Sequence, residues 1–304
     1  MITASRAQGH PMKIRIGTLV RPDEKYIQQV DKLGFESYSI TWGGSSTIGM
    51  DPVSLAPKVK AVLADSKAVI SSLGVYGNPL DPSHETYEAV RAGWRKCIEN
   101  AHAYGCDIVA GFTGRIIGKP IEESMPAFKA FFGPLVKMAG DHGVRIVFEN
   151  CAMGGSWATG DWNCAHNPSA WELMFNEVSD DNIGLQWEPC HQMVQLIDPI
   201  PQLRKWAKKI FHIHGKDATI AWDVIREQGI GSPSKYVWHR TPGFGDTNWT
   251  DVISILRQNG FVGSIDIEGW HDPVYRGELE MTGQVRALNY LLACRGGEFV
   301  ENPV

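Results

Sequence analysis

The chain has 304 residues, 43% of them hydrophobic and 21% charged, which suits a soluble globular protein with material for one large α/β domain or two small ones. A net charge of −5 without any Lys/Arg-rich block argues against a nucleic-acid partner, since phosphate binding rests on clustered basic charge. No run of about eighteen apolar residues is present and the first seventeen residues lack a signal-peptide core, so the reading is a cytoplasmic protein that acts on a small polar ligand and touches no membrane.

In chain order, a polar and flexible lead-in is expected over 1–12, followed by one domain over 13–304. Eight strand-like runs follow: 13–20, 36–42, 68–77, 107–112, 145–150, 183–188, 210–217 and 264–269. Between them lie segments of helical spacing such as 87–105 and 125–143, several closed by a glycine just before the next strand, as helix C-termini are. Eight such units predict parallel strands covered by helices, hence a (β/α)₈ TIM barrel. No G-x-G-x-x-G follows the first strand and no GxxxxGK[ST] occurs, so an open nucleotide-binding sheet loses its main support. The one long connection, 218–247, is expected to pack over the mouth of the barrel with its aromatics Tyr236, Trp238 and Phe244. The six cysteines show no CxxC pair and are read as reduced thiols packing inside the protein.

In a barrel the C-terminal ends of the strands face one cavity. Those ends carry Glu149, Glu188, His214 and Glu268. Three converging carboxylates repel one another unless one takes up a proton or a cation supplies the balancing charge. A divalent metal bound by Glu149, Glu188, His214 and Glu268 is therefore expected. Oxygen-rich coordination with one imidazole suits manganese best, with magnesium, cobalt or zinc as alternatives. His212 and His214 are two apart, as are Asp266 and Glu268, so each pair shares the inner face, the outer member as ligand and the inner one supporting it.

The motifs FEN (148–150), WEPCH (187–191), HIHGKD (212–217), PGFGDTNW (242–249) and IDIEG (265–269) resemble those of the xylose isomerase-like sugar isomerase/epimerase barrels, a family that includes ketose 3-epimerases and inosose dehydratases. The resemblance implies one divalent metal on the same four residues. It also implies that His191 contacts a substrate oxygen and that Lys216 and Asp217 lie at the cavity rim. Two departures stand out. Glu188 occupies a ligand position that is commonly Asp in the family, and the region after Glu149 lacks the substrate-holding Glu of ketose 3-epimerases. Trp42, Tyr76, Phe112 and Trp270, near strand ends, are candidate platforms for the C–H face of a sugar; Arg115 and His239 are further candidate contacts. Asp246 is expected to cap the helix that follows it.

Such a site has two chemical outcomes. Glu149 and Glu268, acting as base and acid with His191 orienting oxygen, give isomerisation or epimerisation by proton abstraction beside a carbonyl. If the substrate is a 3-oxo-glycoside with a leaving group β to the acidic C–H, the product is an elimination, as in the catalytic subunits of 3-oxo-glycoside and C-glycoside deglycosidases, whose HxHxKD and PGxGD motifs this chain resembles. The resemblance implies a homo-oligomer, or a small second subunit in the deglycosidase case. A non-catalytic sugar-binding barrel would be expected to have lost a ligand; a nuclease of this fold would need a basic groove and more histidines.

Overall fold

The computed structural model describes residues 14–297 and Pro303; the lead-in expected over 1–12 lies outside the described residues. Among the described residues ten strands are formed: β1 (Arg15–Val20), β2 (Ser37–Gly43), β3 (Val69–Tyr76), β4 (Ile108–Gly111), β5 (Arg145–Glu149), β6 (Ile183–Trp187), β7 (Ile210–Gly215), β8 (Asp217–Ile220), β9 (Val237–Arg240) and β10 (Ser264–Ile267). Eight of them close a parallel barrel, with β1 hydrogen-bonded to β2 on one side and to β10 on the other. Each of the eight runs read from the sequence supplies one barrel strand, and helices fill the intervals between them. This is the (β/α)₈ arrangement.

Alternation along each strand sorts side chains between the helix layer and the barrel interior. On β2, Tyr38, Ile40 and Trp42 enter the large apolar core under the helices. Ser37 and Ser39 point inward, bonding Asp266 Oδ1 at 2.5 Å and Ser72 Oγ at 2.6 Å. The floor of the interior is apolar, with Ile108, Ala110 and Val147 packed together. Above it the filling is polar. Thr18, Ser37, Ser39, Ser72, Gln186, His212 and Asp266 are all fully buried. Such a layer is tolerated because its polar atoms find partners. Tyr76 donates to Gln186 Oε1 at 2.5 Å, Gln186 Nε2 meets His212 Nδ1 at 3.0 Å, and His212 Nε2 meets Asp266 Oδ2 at 2.7 Å. Ser71 donates to the same Asp266 oxygen. The pairs read as supporting residues, His212 and Asp266, do bond each other beneath His214 and Glu268.

The connection 218–247 is ordered. It continues β7 into β8, carries the helix Trp222–Gln228, and returns as β9, which pairs antiparallel with β8 from Asp217↔Arg240 to Ile220↔Val237. Asp217, expected at the cavity rim, is instead buried at the root of this hairpin. Its carboxylate accepts Ala218 N at 2.7 Å, Thr247 N at 3.0 Å and Trp249 Nε1 at 3.1 Å. Asp246 is not a helix cap either. It accepts Ile220 N at 2.8 Å, and Asn248 caps the helix Trp249–Gln258 through Asp251 N at 3.2 Å. Among the described residues no helix is long and apolar enough to cross a membrane.

Candidate metal centre and substrate cavity

The C-terminal ends of the barrel strands open into a cavity of about 530 Å³, a size suited to a small organic ligand. Glu149, His214 and Glu268 line it, and one ligand atom of each lies within 4.8 Å of the others. His214 Nδ1 stands 3.2 Å from Glu268 Oε2 and 3.9 Å from Glu149 Oε1. Both His214 nitrogens and Glu268 Oε2 are nonetheless buried without a hydrogen-bond partner. Orphaned polar atoms converging in a buried place are costly unless a ligand meets them, and this donor set is chemically suited to a divalent cation.

Glu188 lies outside this group of three. It is fully buried, does not line the cavity, and both its carboxylate oxygens lack hydrogen bonds. His191 Nε2 approaches Glu188 Oε1 to 2.9 Å, at an angle that makes no hydrogen bond. Asn150 fixes the backbone of Glu188 from both sides, accepting its N–H at 2.8 Å and donating to its carbonyl at 2.9 Å. The ends of β5 and β6 are thereby clamped together.

Lys216 is the main cation of the cavity. Its Nζ donates to Glu268 Oε1 at 2.6 Å and stands 3.3 Å from His191 Nε2. The charge states follow. Burial raises the Glu149 carboxyl to about 8, with the neighbouring Glu268 adding to the rise. Burial acts in the same sense on Glu268, but the Lys216 ammonium, with His214 and His271 beside it, holds that carboxyl well below the usual range. Burial opposes the charge of Lys216 too, and Glu268 overcomes it, lifting the ammonium above its ordinary value. Burial depresses His214, and burial with Lys216 depresses His191 further. Without a metal the cavity thus favours a protonated Glu149, a Glu268–Lys216 ion pair and uncharged His214 and His191.

Of the other residues expected to touch substrate, Tyr76, Phe112 and Trp270 line the cavity. Trp42 does not, because it sits on the outward side of β2, where it is 3% exposed among core residues. Arg115 is not at the mouth either. It is buried, and its guanidinium donates to the carbonyls of Lys119 at 2.7 Å, Ser156 at 2.6 Å and Trp157 at 2.8 Å, holding the loop after β5. His239 on β9 reaches the cavity, its ring 5.1 Å from His191 and 5.6 Å from His271. Sequence reasoning passed over His271, Trp162 and Met153, which also line the cavity. Met153 is half exposed with a positive φ of 49°, a strained backbone of the kind held at functional sites. Asn163, also passed over, donates to the carbonyls of Glu149 and Cys151, each at 2.8 Å.

The profile of the xylose isomerase-like TIM barrel family matches residues 27–291. The chain belongs to this family. Among curated relatives, the uncharacterized protein YfiH of Bacillus subtilis (strain 168) is 23% identical over 278 residues, 81% of this chain and 88% of that one. Inosose dehydratase of Clostridium tetani (strain Massachusetts / E88) is 26% identical over 181 residues, 57% of this chain and only 56% of that enzyme. The apo crystal structure of 3-keto-D-glucoside 4-epimerase, YcjR, from E. coli aligns with a TM-score of 0.67 at 14% identity, over 93% of this chain and 100% of that one. Its likeness is one of fold.

Proposed function

We propose that this xylose isomerase-like barrel is a divalent-metal-dependent sugar isomerase or epimerase that removes a proton from the carbon beside a carbonyl. The observation that carries the reading is the convergence of two buried carboxyl groups, Glu149 and Glu268, on His214 in one cavity, with one ligand atom of each within 4.8 Å of the others. Glu149, His214 and Glu268 would hold the ion, with Glu188 the fourth ligand on the family resemblance. Bound there, the ion would acidify the C–H between a carbonyl and the adjacent hydroxyl.

The chain's own residues supply the rest. Glu268, kept anionic by Lys216, is the acceptor for the substrate proton; Glu149, on a non-adjacent strand, is placed to deliver one to the other side. Lys216 faces the oxygen on which negative charge grows, where a fixed ammonium in a dry site is most effective. His191, neutral and buried, orients a hydroxyl. Tyr76, Phe112 and Trp270 offer apolar faces to ring C–H bonds.

A second reading has its own support. The mouth carries Met153, Trp162 and Trp270, and no carboxylate stands between Asn150 and Trp157, so the cavity has an apolar flank where a ketose 3-epimerase would grip a hydroxyl. That flank suits an aryl group, and the same proton removal then leads to β-elimination from a 3-oxo-glycoside, with a small second subunit as the partner implied. Similarity to a dehydratase, itself an elimination enzyme, agrees with this. The deciding experiment incubates the manganese-loaded protein in D₂O with a ketohexose and, separately, an aryl 3-oxo-glucoside, followed by proton NMR. Deuterium entering a sugar carbon with a new epimer or isomer establishes the first reading. Release of the aryl group with an unsaturated sugar establishes the second, and no change in either substrate refutes both for these compounds.

A further inference from the structure

Glu149 belongs to two groups of side chains whose atoms could hold a metal ion. Besides His214 and Glu268, it meets Cys151 Sγ and a His191 ring nitrogen, again with all three ligand atoms within 4.8 Å of one another and all three residues buried. We propose that Glu149, Cys151 and His191 form a second metal site, selective for a soft divalent ion such as zinc and joined to the oxygen-rich site through Glu149.

A buried carboxylate beside this group points to a cation independently. Glu188 is fully buried, neither of its carboxylate oxygens has a hydrogen bond, and its Oε1 lies 2.9 Å from His191 Nε2. A cation held by a His191 ring nitrogen supplies counter-charge to that carboxylate. Asn163 already fixes the carbonyls on either side, Glu149 and Cys151, so the chain between two of the ligands is pre-set.

The donor set decides the ion. A thiolate with an imidazole and a carboxylate is a zinc-like combination, whereas the group with His214 and Glu268 has no sulfur and favours harder ions. Ligand atoms around one tetrahedral zinc stand about 3.5 Å apart, so side-chain rotations of about an ångström close the site. Binding displaces the Cys151 proton to solvent. Occupancy also engages Glu149 and His191, so on the reading proposed above zinc at this site inhibits turnover that the first ion supports.

The test reads the metal and not the reaction, so it stands or falls apart from that proposed activity. Metal-free full-length protein is titrated with Co²⁺ while the near-ultraviolet thiolate-to-cobalt charge-transfer band is followed. The expected result is a band that grows to one equivalent, is lost in Cys151→Ser and in His191→Ala, and persists in Cys190→Ser and in Glu268→Gln. Circular dichroism identical to the parent establishes that each variant is folded, and competition by Zn²⁺ removes the band while Mg²⁺ does not. Absence of the band from the parent protein, or its survival in folded Cys151→Ser, overturns the proposal. Loss of the band in folded Glu268→Gln overturns the separateness of the two sites.

Discussion

Glu149 and Lys216 make the cavity's charge balance measurable one residue at a time. In the metal-free protein the Glu149 carboxyl, raised to about 8, keeps its proton in the folded state at pH values where the unfolded chain has lost it. Such a group contributes stability that is full below the unfolded pKa and is lost as pH rises through the folded one. The depressed histidines His214, His191 and His239 act in the opposite sense, but only below their unfolded value of 6.5. The window that isolates Glu149 is therefore 6.5 to about 8. Urea unfolding of the metal-free protein is expected to show stability falling there by an amount on the order of 2 kcal/mol. Glu149→Gln should flatten that slope. At Lys216, replacement by Met removes the partner that keeps Glu268 anionic. The expected outcome is a loss of kcat on the order of 10²-fold with a smaller change in KM, measured on whichever substrate turns over.

At the scale of elements, the polar interior layer depends on close approach between strands. A Cβ on Gly17 of β1 would lie 2.2 Å from Asp266 Oδ1 and equally close to Ser37, so this strand needs a residue without a side chain where β1 passes between β2 and β10. Gly17→Ala is expected to cost about 3 kcal/mol by chemical denaturation, since the barrel wall cannot yield on both sides at once. The barrel strands were legible in the sequence because each is a short apolar run between a glycine-ended helix and a polar strand end. Glu149, His214 and Glu268 were legible because a barrel sends its strand ends to one place. Trp42 misled because strand parity, set by the register with its neighbours, decides which face a ring takes, and Thr41 holds the inward place beside it. Arg115 and Asp217 misled for a different reason. Most of their partners are backbone atoms, those of Ser156, Trp157 and Thr247 tens of residues away, and a charge satisfied by backbone leaves no mark in residue types. The β8–β9 hairpin was hidden in a glycine- and serine-rich stretch whose pairing is mostly backbone.

For the whole molecule, closure is the property that depends on distant parts of the chain. The seam joins the first barrel strand to the last, and it is reinforced from outside by the final helix, Glu280–Arg295. Arg295 Nη1 donates to the carbonyl of Ile14 at 2.8 Å and to Glu36 Oε2 at 2.5 Å, tying the end of this helix to the starts of β1 and β2. Arg295→Ala is expected to lower the urea midpoint by the equivalent of about 1 to 2 kcal/mol with an unchanged slope, the signature of a weakened fold and not of a new denatured state. A changed slope would instead mean that the seam opens before the rest of the barrel.

The hairpin rooted on Asp217 separates two tasks that one chain must perform. Everything that would handle protons or a metal stands on the barrel strands and their immediate ends, whereas His239 and the rest of 218–247 hang from a carboxylate that grips the backbone at both ends of the insertion. Such a root behaves as a socket. An insertion of another length or sequence seated in it would leave Lys216 and His214, just upstream, in their places, so what lies over the strand ends can be exchanged without rebuilding the barrel beneath.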